Sequence, residues 1–506
     1  MIGMITPGPA GEPFAEVAET HSAAVFFAGE WAFKLKKPVN LGFLDFTSQQ
    51  AREAACHAEV ALNRRFAPDV YLGVSELHDP AGQVIDHLVT MRRMPANRRM
   101  SSLVAAGQPV IRPLREVAHK LATAHAASPQ SPEIAEQGSR EALLGRWQAN
   151  LQQARALTSC PLSPAVIDEV QLLAERFLAG REPIFAARMR AGRMVDGHGD
   201  LLADDIFCLD DGPRVLDCLD FDDLLRWLDG LDDASCLAMD LDHLGAADLA
   251  ERFIGWYAEF SADPAPPALV HHYVAYRAFM RAKVAGLRCG QGDARAAGEA
   301  RALAALALRH LRAGAVVLIL VGGLPGTGKS TLAARLAARL GWTVLSSDRI
   351  RKELAGVTAT QPCPAAYGTG LYTPEWTKRT YAELLRRAAL LLENGESVIA
   401  DASWTAPGQR SAMAAVAERA VADLAQLRCT APPALAEKRI RARTHDPSDA
   451  DPGIGKQMAA GLGPWPEAIT IDTTSPDGSL THAIAAIRPP GAEDVWRPER
   501  PYMTPG

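Results

Sequence analysis

The chain has 506 residues, 48% hydrophobic and 22% charged, with a formal net charge of -6. That length exceeds one ordinary core and predicts several domains of about 100–200 residues. The composition excludes wholesale disorder, and the charge excludes a global basic field for nucleic acid or an anionic membrane. The eight cysteines are scattered, with no CxxC pair and no zinc-type cluster, and read as reduced thiols. No apolar run reaches about 18 residues, and Met1 to Phe14 lacks the basic start and apolar core of a secretory signal. A cytoplasmic protein without a membrane partner is expected.

In chain order, residues 23–27 and 31–36 read as two strands of a hairpin around Gly29-Glu30. Residues 48–66 carry Ala55, Ala58, Ala61, Leu62 and Phe66 at helical spacing, and 84–94 is again strand-like. A small α+β lobe results. From about 112 the texture changes to Ala/Leu/Arg-rich helices over 115–127, 141–156 and 165–178. An acidic loop-and-strand segment, 196–223, interrupts them, and helices resume over 229–312. Gly314 is expected to stop the last helix as a left-handed cap, which sets a domain boundary.

Beyond it, 316–321 is a β-branched run of the buried parallel-strand type, followed by a Gly-rich turn and a helix to about 340. Strands over 343–345, 397–400 and 425–429 alternate with helices over 374–393, 407–418 and 434–443, as a doubly wound parallel sheet requires. The Pro-rich end, 489–506, reads as an irregular tail. The expected class is a multidomain mixture of α+β and α/β, divided at 15–110, 111–311, 312–488 and the tail.

The acidic segment contains His198-Gly-Asp200-Leu-Leu-Ala-Asp-Asp205, then Val215-Leu-Asp217-Cys-Leu-Asp220-Phe-Asp222. A kinase-type site needs a catalytic Asp, a second ligand five residues later and a metal-binding Asp after the next strand. Asp200, Asp205 and Asp220 stand in those positions. The same site needs a strand lysine held by a helix glutamate. Lys34 and Glu59 fill those roles, with Lys36 and Glu53 as alternatives, because Lys34 and Lys36 share a strand face. His198 reads as a loop organiser, and Arg277, Arg281 and Lys283 as helix-surface charges or cations facing an anionic acceptor. A polycationic acceptor would suit the acidic 196–223 region.

With Lys34-Leu-Lys-Lys-Pro-Val39, Leu41-Gly-Phe-Leu-Asp-Phe46, Asn63-Arg-Arg-Phe-Ala-Pro68 and Tyr71-Leu-Gly73, residues 15–310 resemble the aminoglycoside phosphotransferase-like family, in the branch fused to a P-loop kinase. The resemblance implies a protein-kinase-like fold, with a small ATP-holding lobe and a helical lobe carrying the catalytic loop. The sequence departs from the pattern at Asp205, where the family usually has Asn, and at Phe27-Ala-Gly29-Glu30, a phosphate-covering turn with few glycines.

In the C-terminal half, Gly323-Leu-Pro-Gly326-Thr-Gly328-Lys329-Ser330-Thr331 fits the P-loop pattern. Glycines let backbone N–H groups close round phosphate oxygens, Lys329 reaches the β/γ-phosphates of ATP, and Ser330 is a ligand for Mg²⁺. Asp348, at the carboxyl end of a strand, could accept a proton from an acceptor hydroxyl or cap the next helix, and Arg351 could clamp an anionic acceptor. Asp401 ends an apolar strand in the manner of a magnesium-binding carboxylate. Arg439, Arg441 and Arg443 alternate along the helix over 434–443, too many for one face; some could close over ATP as a lid, Arg441 and Arg443 above all, while others are solvated.

On the Asp348/Arg351 element and the lid-like Arg441-x-Arg443-x-x-Asp446-x-Ser448-Asp-Ala450, residues 315–485 resemble the small P-loop kinases related to gluconate, zeta-toxin and polynucleotide kinases. The expectation is a two-site phosphotransferase that uses Mg·ATP to phosphorylate a hydroxyl of a small molecule. One half as a nucleotide-sensing module and a polynucleotide end kinase are the alternatives, the charge balance arguing against nucleic acid; oligomeric state stays open.

Overall fold

The computed structural model describes residues 14–19, 22–40, 45–157, 161–363, 366, 368–443, 447–460 and 463–487. Leu41 to Leu44, Cys160, Asp446 and the segment from 489 lie outside the described residues.

The N-terminal lobe is a five-stranded antiparallel sheet in the order Ala15–Glu19, Ala23–Ala28, Trp31–Lys36, Val84–Arg92, Tyr71–His78. Helix Gln49–Asn63 packs on it. Ser48 caps this helix by accepting the Ala51 N–H at 3.1 Å, and its buried face carries Cys56, Glu59, Val60 and Asn63. These meet Ala32, Val70, Tyr71, Val89 and Met91 in a local core. The outer strands escaped the sequence reading for local reasons. Ala15–Glu19 is exposed throughout and shows no alternation, and the pairing of Tyr71–His78 slips at Gly73.

The next unit is helical, dominated by Ile111–Ala126, Arg140–Ala156, Gly230–His243, Ala247–Ser261, Pro267–Gly290 and Ala296–Ala313. A two-stranded sheet of Met194–Asp196 and Trp227–Asp229 closes off the acidic segment, and a hairpin of Ile206–Leu209 and Gly212–Val215 lies within it. The expected left-handed cap at Gly314 is not formed, since its φ is -78°. Close packing favours glycine there: a Cβ would meet the Ala268 carbonyl and the His271 side chain at 3.1 Å.

The C-terminal unit is a parallel sheet in the order Thr343–Ser346, Val398–Asp401, Val317–Gly322, Asp423–Thr430, Ile469–Asp472. The sequence-first strand lies in the middle and is wholly buried, the doubly wound arrangement that places ligands beyond the carboxyl ends of the strands. One sheet face shares a continuous core with the helical unit, joining Leu178 and Ile184 to Leu384, Leu392, Ala417 and Ala420. Arg181, 1% exposed, donates to the carbonyls of Gly180 and Ala420. No carboxylate meets it directly among the described hydrogen bonds, and burial lowers its pKa to about 10. Among the described residues no helix is long and apolar enough to cross a membrane.

Candidate functional site

Two clusters sit at the expected places. In the first, strand Trp31–Lys36 aims Lys34 and Lys36 at the same carboxylate: Lys34 Nζ lies 2.8 Å and Lys36 Nζ 2.7 Å from Glu59. Alternate strand residues share a face, so both lysines reach the helix. Glu53 lies 3.7 Å from His87 instead. Lys34 also contacts Asp217 at 2.9 Å, and Lys36 pairs with Asp220. Burial pushes the Glu59 carboxyl up, but the two ammonium groups outweigh it and hold the carboxyl below its ordinary range.

Asp217 reaches Lys34 from a left-handed backbone, φ 61°, a conformation that Asp tolerates better than most residues. Its N–H donates to Tyr71 Oη at 3.1 Å, and the next N–H, of Cys218, donates to Asn63 Oδ1 at 2.8 Å. Asp205 lies among Asp217, Asp200 and Asp204, and burial together with these charges raises its pKa well above the usual carboxylate range.

The loop bearing Asp200 is fixed from helix Gly230–His243. Asp233, fully buried, accepts the N–H groups of His198 at 2.7 Å and Gly199 at 2.8 Å, and Asp240 accepts that of Ala203 at 2.8 Å. His198 Nε2 donates to the Leu216 carbonyl at 2.9 Å, tying the two carboxylate loops together. Arg277 is not a surface charge: at 4% exposure it bridges Asp232 and the Gly199 carbonyl, each at 2.7 Å. Arg281, one turn on, lies 3.2 Å from Asp200 Oδ2.

The rest of the acidic run is compensated. Asp196 meets Arg226 at 2.8 Å, Asp204 Arg99 at 3.5 Å, Asp210 Arg98 at 2.5 Å, Asp211 Arg214 at 2.8 Å and Asp223 Arg226 at 2.5 Å. Asp222 caps a short helix by accepting the Leu224 N–H at 3.0 Å. The sequence reading did not foresee this network, because every cation except Arg214 and Arg226 comes from elsewhere in the chain.

In the second cluster, Gly323, Gly326 and Gly328 take φ values of 143°, 80° and 83°, which L side chains rarely adopt. Gly326 also passes under helix Pro433–Arg441, where a Cβ would lie 2.4 Å from the Ala436 carbonyl. Lys329 and Ser330 begin helix Lys329–Leu340, so the positive end of its dipole faces the turn; Ser330 and Thr331 are exposed there and Lys329 is buried. Asp401 ends the neighbouring strand, in register with Val321, and is 4% exposed. Burial raises the Cys429 thiol, on the adjacent strand Asp423–Thr430, to about 12.

Asp348 is half-buried in the first turn of helix Ser347–Leu354, whose cap position falls to Ser346. It lines a cavity of about 320 Å³ with Gly323, Lys329, Arg351, Ser403 and Gln409. Arg351 is 6% exposed; it donates to the Leu371 carbonyl at 3.0 Å and lies over the Tyr372 ring at 4.7 Å. Its Nε has no hydrogen-bond partner among the described residues. Arg441 is exposed and sits 3.6 Å from Glu437, and Arg443 is half-buried just beyond the helix. The arginine beside the glycine turn is Arg439, which donates to Thr473 Oγ1 at 3.2 Å and the Thr473 carbonyl at 2.7 Å; Thr473 in turn donates to the Thr327 carbonyl at 2.7 Å. The alternating arginines included it, but spacing alone did not single it out from Arg441 and Arg443.

Comparison with known proteins adds a matching family and its relatives. The AAA domain family matches residues 318–464. A P-loop at the centre of a parallel sheet, within the residues that the AAA domain family matches, defines a P-loop nucleotide-binding protein. Protein Rv2004c of Mycobacterium tuberculosis is 42% identical over 465 residues, covering 92% of this chain and 93% of that protein. The chain belongs to the family of that mycobacterial protein. Solved structures similar to parts of it include a choline/ethanolamine kinase family protein from Mesorhizobium loti, with 19% identity over 60% of this chain and 94% of that one and a TM-score of 0.37. A gluconokinase from Sinorhizobium meliloti matches with 18% identity over 34% of this chain and 91% of that one, at a TM-score of 0.25.

Proposed function

We propose that the protein transfers the γ-phosphoryl group of ATP to hydroxyl groups of small molecules at two kinase-type sites. The observation that carries this reading is the convergence of Lys329, Asp348 and Arg351 on one cavity. The glycine-turn N–H groups and Lys329 hold the phosphates, Asp348 takes the proton of the attacking hydroxyl, and Arg351 offers its remaining guanidinium edge to an anionic part of the acceptor. Helix N-terminus, lysine and arginine together neutralise charge on the group in transit.

Mg²⁺ suits the donor set, which is oxygen only. Among the described residues no three His, Cys, Asp or Glu side chains form a complete metal cage, and Mg²⁺ needs none, since it keeps several waters and takes one or two carboxylates plus substrate phosphates. Ser330 and Asp401 would hold it in the C-terminal half. In the N-terminal half Asp205 would hold it together with Asp217 or Asp220, and the carboxylate crowding around Asp205 is relieved by a cation. When bound, the ion draws negative charge from the phosphates. Lys34, fixed by Glu59, orients the α/β-phosphates, and Asp200 orients the acceptor hydroxyl.

One observation favours nucleotide sensing without transfer in the N-terminal half: Lys34 and Lys36 are both engaged by Asp217 and Asp220. The test is a screen of alcohols with γ-labelled ATP on the full chain, comparing wild type, Lys329→Ala, Asp200→Ala and the double variant. Each single variant should lose its own product and the double variant all transfer. Full activity of the double variant would refute the assignment; loss of every product in Lys329→Ala alone would show that the N-terminal half transfers nothing, and Mg·ATP binding retained in that variant would then support the sensing alternative.

A further inference from the structure

We infer that the N-terminal site selects alcohols carrying a carboxylate or phosphate near the reacting hydroxyl, held by Arg281, and rejects polycations. The inference rests on the reading of Asp200 as the residue that orients the acceptor.

The first ground is where Arg281 sits. Its guanidinium lies 3.2 Å from Asp200, with the two side chains 26% and 32% exposed, so both remain open to an incoming molecule. Arg277, one turn earlier on the same helix, has its guanidinium committed to Asp232 and the Gly199 carbonyl; Lys283 donates to Gln153 Oε1 at 2.8 Å. Among these three cations Arg281 alone faces the Asp200 carboxylate with a single polar contact. A planar guanidinium binds carboxylate and phosphate through paired hydrogen bonds. An acceptor with its hydroxyl at Asp200 and its anion on Arg281 would satisfy both partners of the existing ion pair.

The second ground is the neutralisation of the acidic run. A polycation needs several uncompensated carboxylates, and Asp196, Asp204, Asp210, Asp211, Asp217, Asp220 and Asp223 each already meet an arginine or lysine, which leaves the crowded Asp205, the carboxylate assigned above to Mg²⁺. A cationic acceptor would also meet Arg281 beside the reacting carboxylate, and like charges in a half-buried site repel. The expectation of a polycation drawn from the sequence therefore gives way to its opposite.

The experiment uses the full chain carrying Lys329→Ala, so that only the N-terminal site turns over, and follows γ-labelled phosphate from ATP to water and to two acceptor panels. One panel holds hydroxy acids and sugar phosphates; the other holds kanamycin and choline. At least one anionic alcohol should be phosphorylated or should compete with water. Arg281→Gln should raise its KM or inhibition constant by about tenfold to a hundredfold, the range for a lost charged hydrogen bond, with the KM for ATP unchanged. Transfer to kanamycin or choline, no response to any anionic alcohol, or a response indifferent to Arg281→Gln overturns the inference. Absence of any Asp200-dependent turnover, water included, is a separate result: it removes the kinase reading of this half, and the inference with it.

Discussion

Lys352 and Asp449 form a 3.2 Å ion pair whose side chains are 1% and 6% exposed, joining helix Ser347–Leu354 to the chain before helix Pro452–Ala460. Asp449 also accepts the Cys363 N–H at 3.0 Å and the Tyr372 hydroxyl at 2.9 Å. One carboxylate thus gathers three segments around the cavity and fixes the ring on which Arg351 lies. Removing one partner of a buried pair typically costs about 3–5 kcal/mol. Asp449→Ala should lower the unfolding midpoint and weaken acceptor binding more than ATP binding. Equal loss for both ligands in thermal-shift titrations would mean that the pair supports the fold without serving the acceptor side.

The lysine pairings distinguish two carboxylates that sequence spacing does not. Asp217 is the one that lies beside Asp205, whereas Asp220 is drawn to buried Lys36. Asp217→Asn should weaken Mg·ATP binding in the N-terminal half by at least about tenfold, and Asp220→Asn should chiefly lower stability. Calorimetric titration of Mg·ATP into Lys329→Ala backgrounds of each variant decides between them; the reverse order would return the metal role to Asp220.

Two left-handed glycines separate binding from scaffolding. Gly326→Ala adds a methyl group 2.4 Å from the Ala436 carbonyl at φ 80°, whereas Gly341→Ala, at φ 68°, meets nothing within 4 Å. Both should lose about 1 kcal/mol of stability from backbone strain. The first should also lose MgADP affinity at the P-loop, as measured in an Asp217→Asn background that weakens nucleotide binding in the N-terminal half.

His272 gives the helical unit an acid sensitivity. Its Nε2 accepts the Trp147 indole N–H at 3.1 Å, and burial lowers its pKa to about 3. A histidine with a depressed folded pKa contributes full stability above the unfolded value near 6.5, and that contribution falls as pH drops toward 3. At pH 4.5 the loss is about 2–3 kcal/mol relative to pH 7. His272→Gln, which cannot titrate, should show a smaller drop in unfolding midpoint between those pH values than wild type.

The parts of the site visible in the sequence were those built from contiguous residues. The glycine turn, Lys329 and Ser330 are fixed by one strand–turn–helix, and their spacing is their geometry. Lys34 and Lys36 were both visible, but choosing between them had no answer in a pattern because both touch Glu59. Asp217 was hidden by its backbone, since a left-handed residue turns its side chain away from the direction strand alternation implies. Arg277 resembled a surface charge because helix Pro267–Gly290 is buried on almost every side, between helices Gly230–His243 and Ala296–Ala313. Arg439 and Asp449 act through partners more than thirty residues away, Thr473 and Lys352.

The core shared by Leu178, Ile184, Leu384 and Ala420 gives the short stretch 312–316 a practical meaning. A break there would not release two independently stable halves. Each fragment would carry an apolar wound where the other had been, with Arg181 stripped of the Ala420 carbonyl that receives it. Nicked or truncated chains are therefore expected to aggregate, and a cell that makes this protein supplies its two halves in a fixed one-to-one ratio.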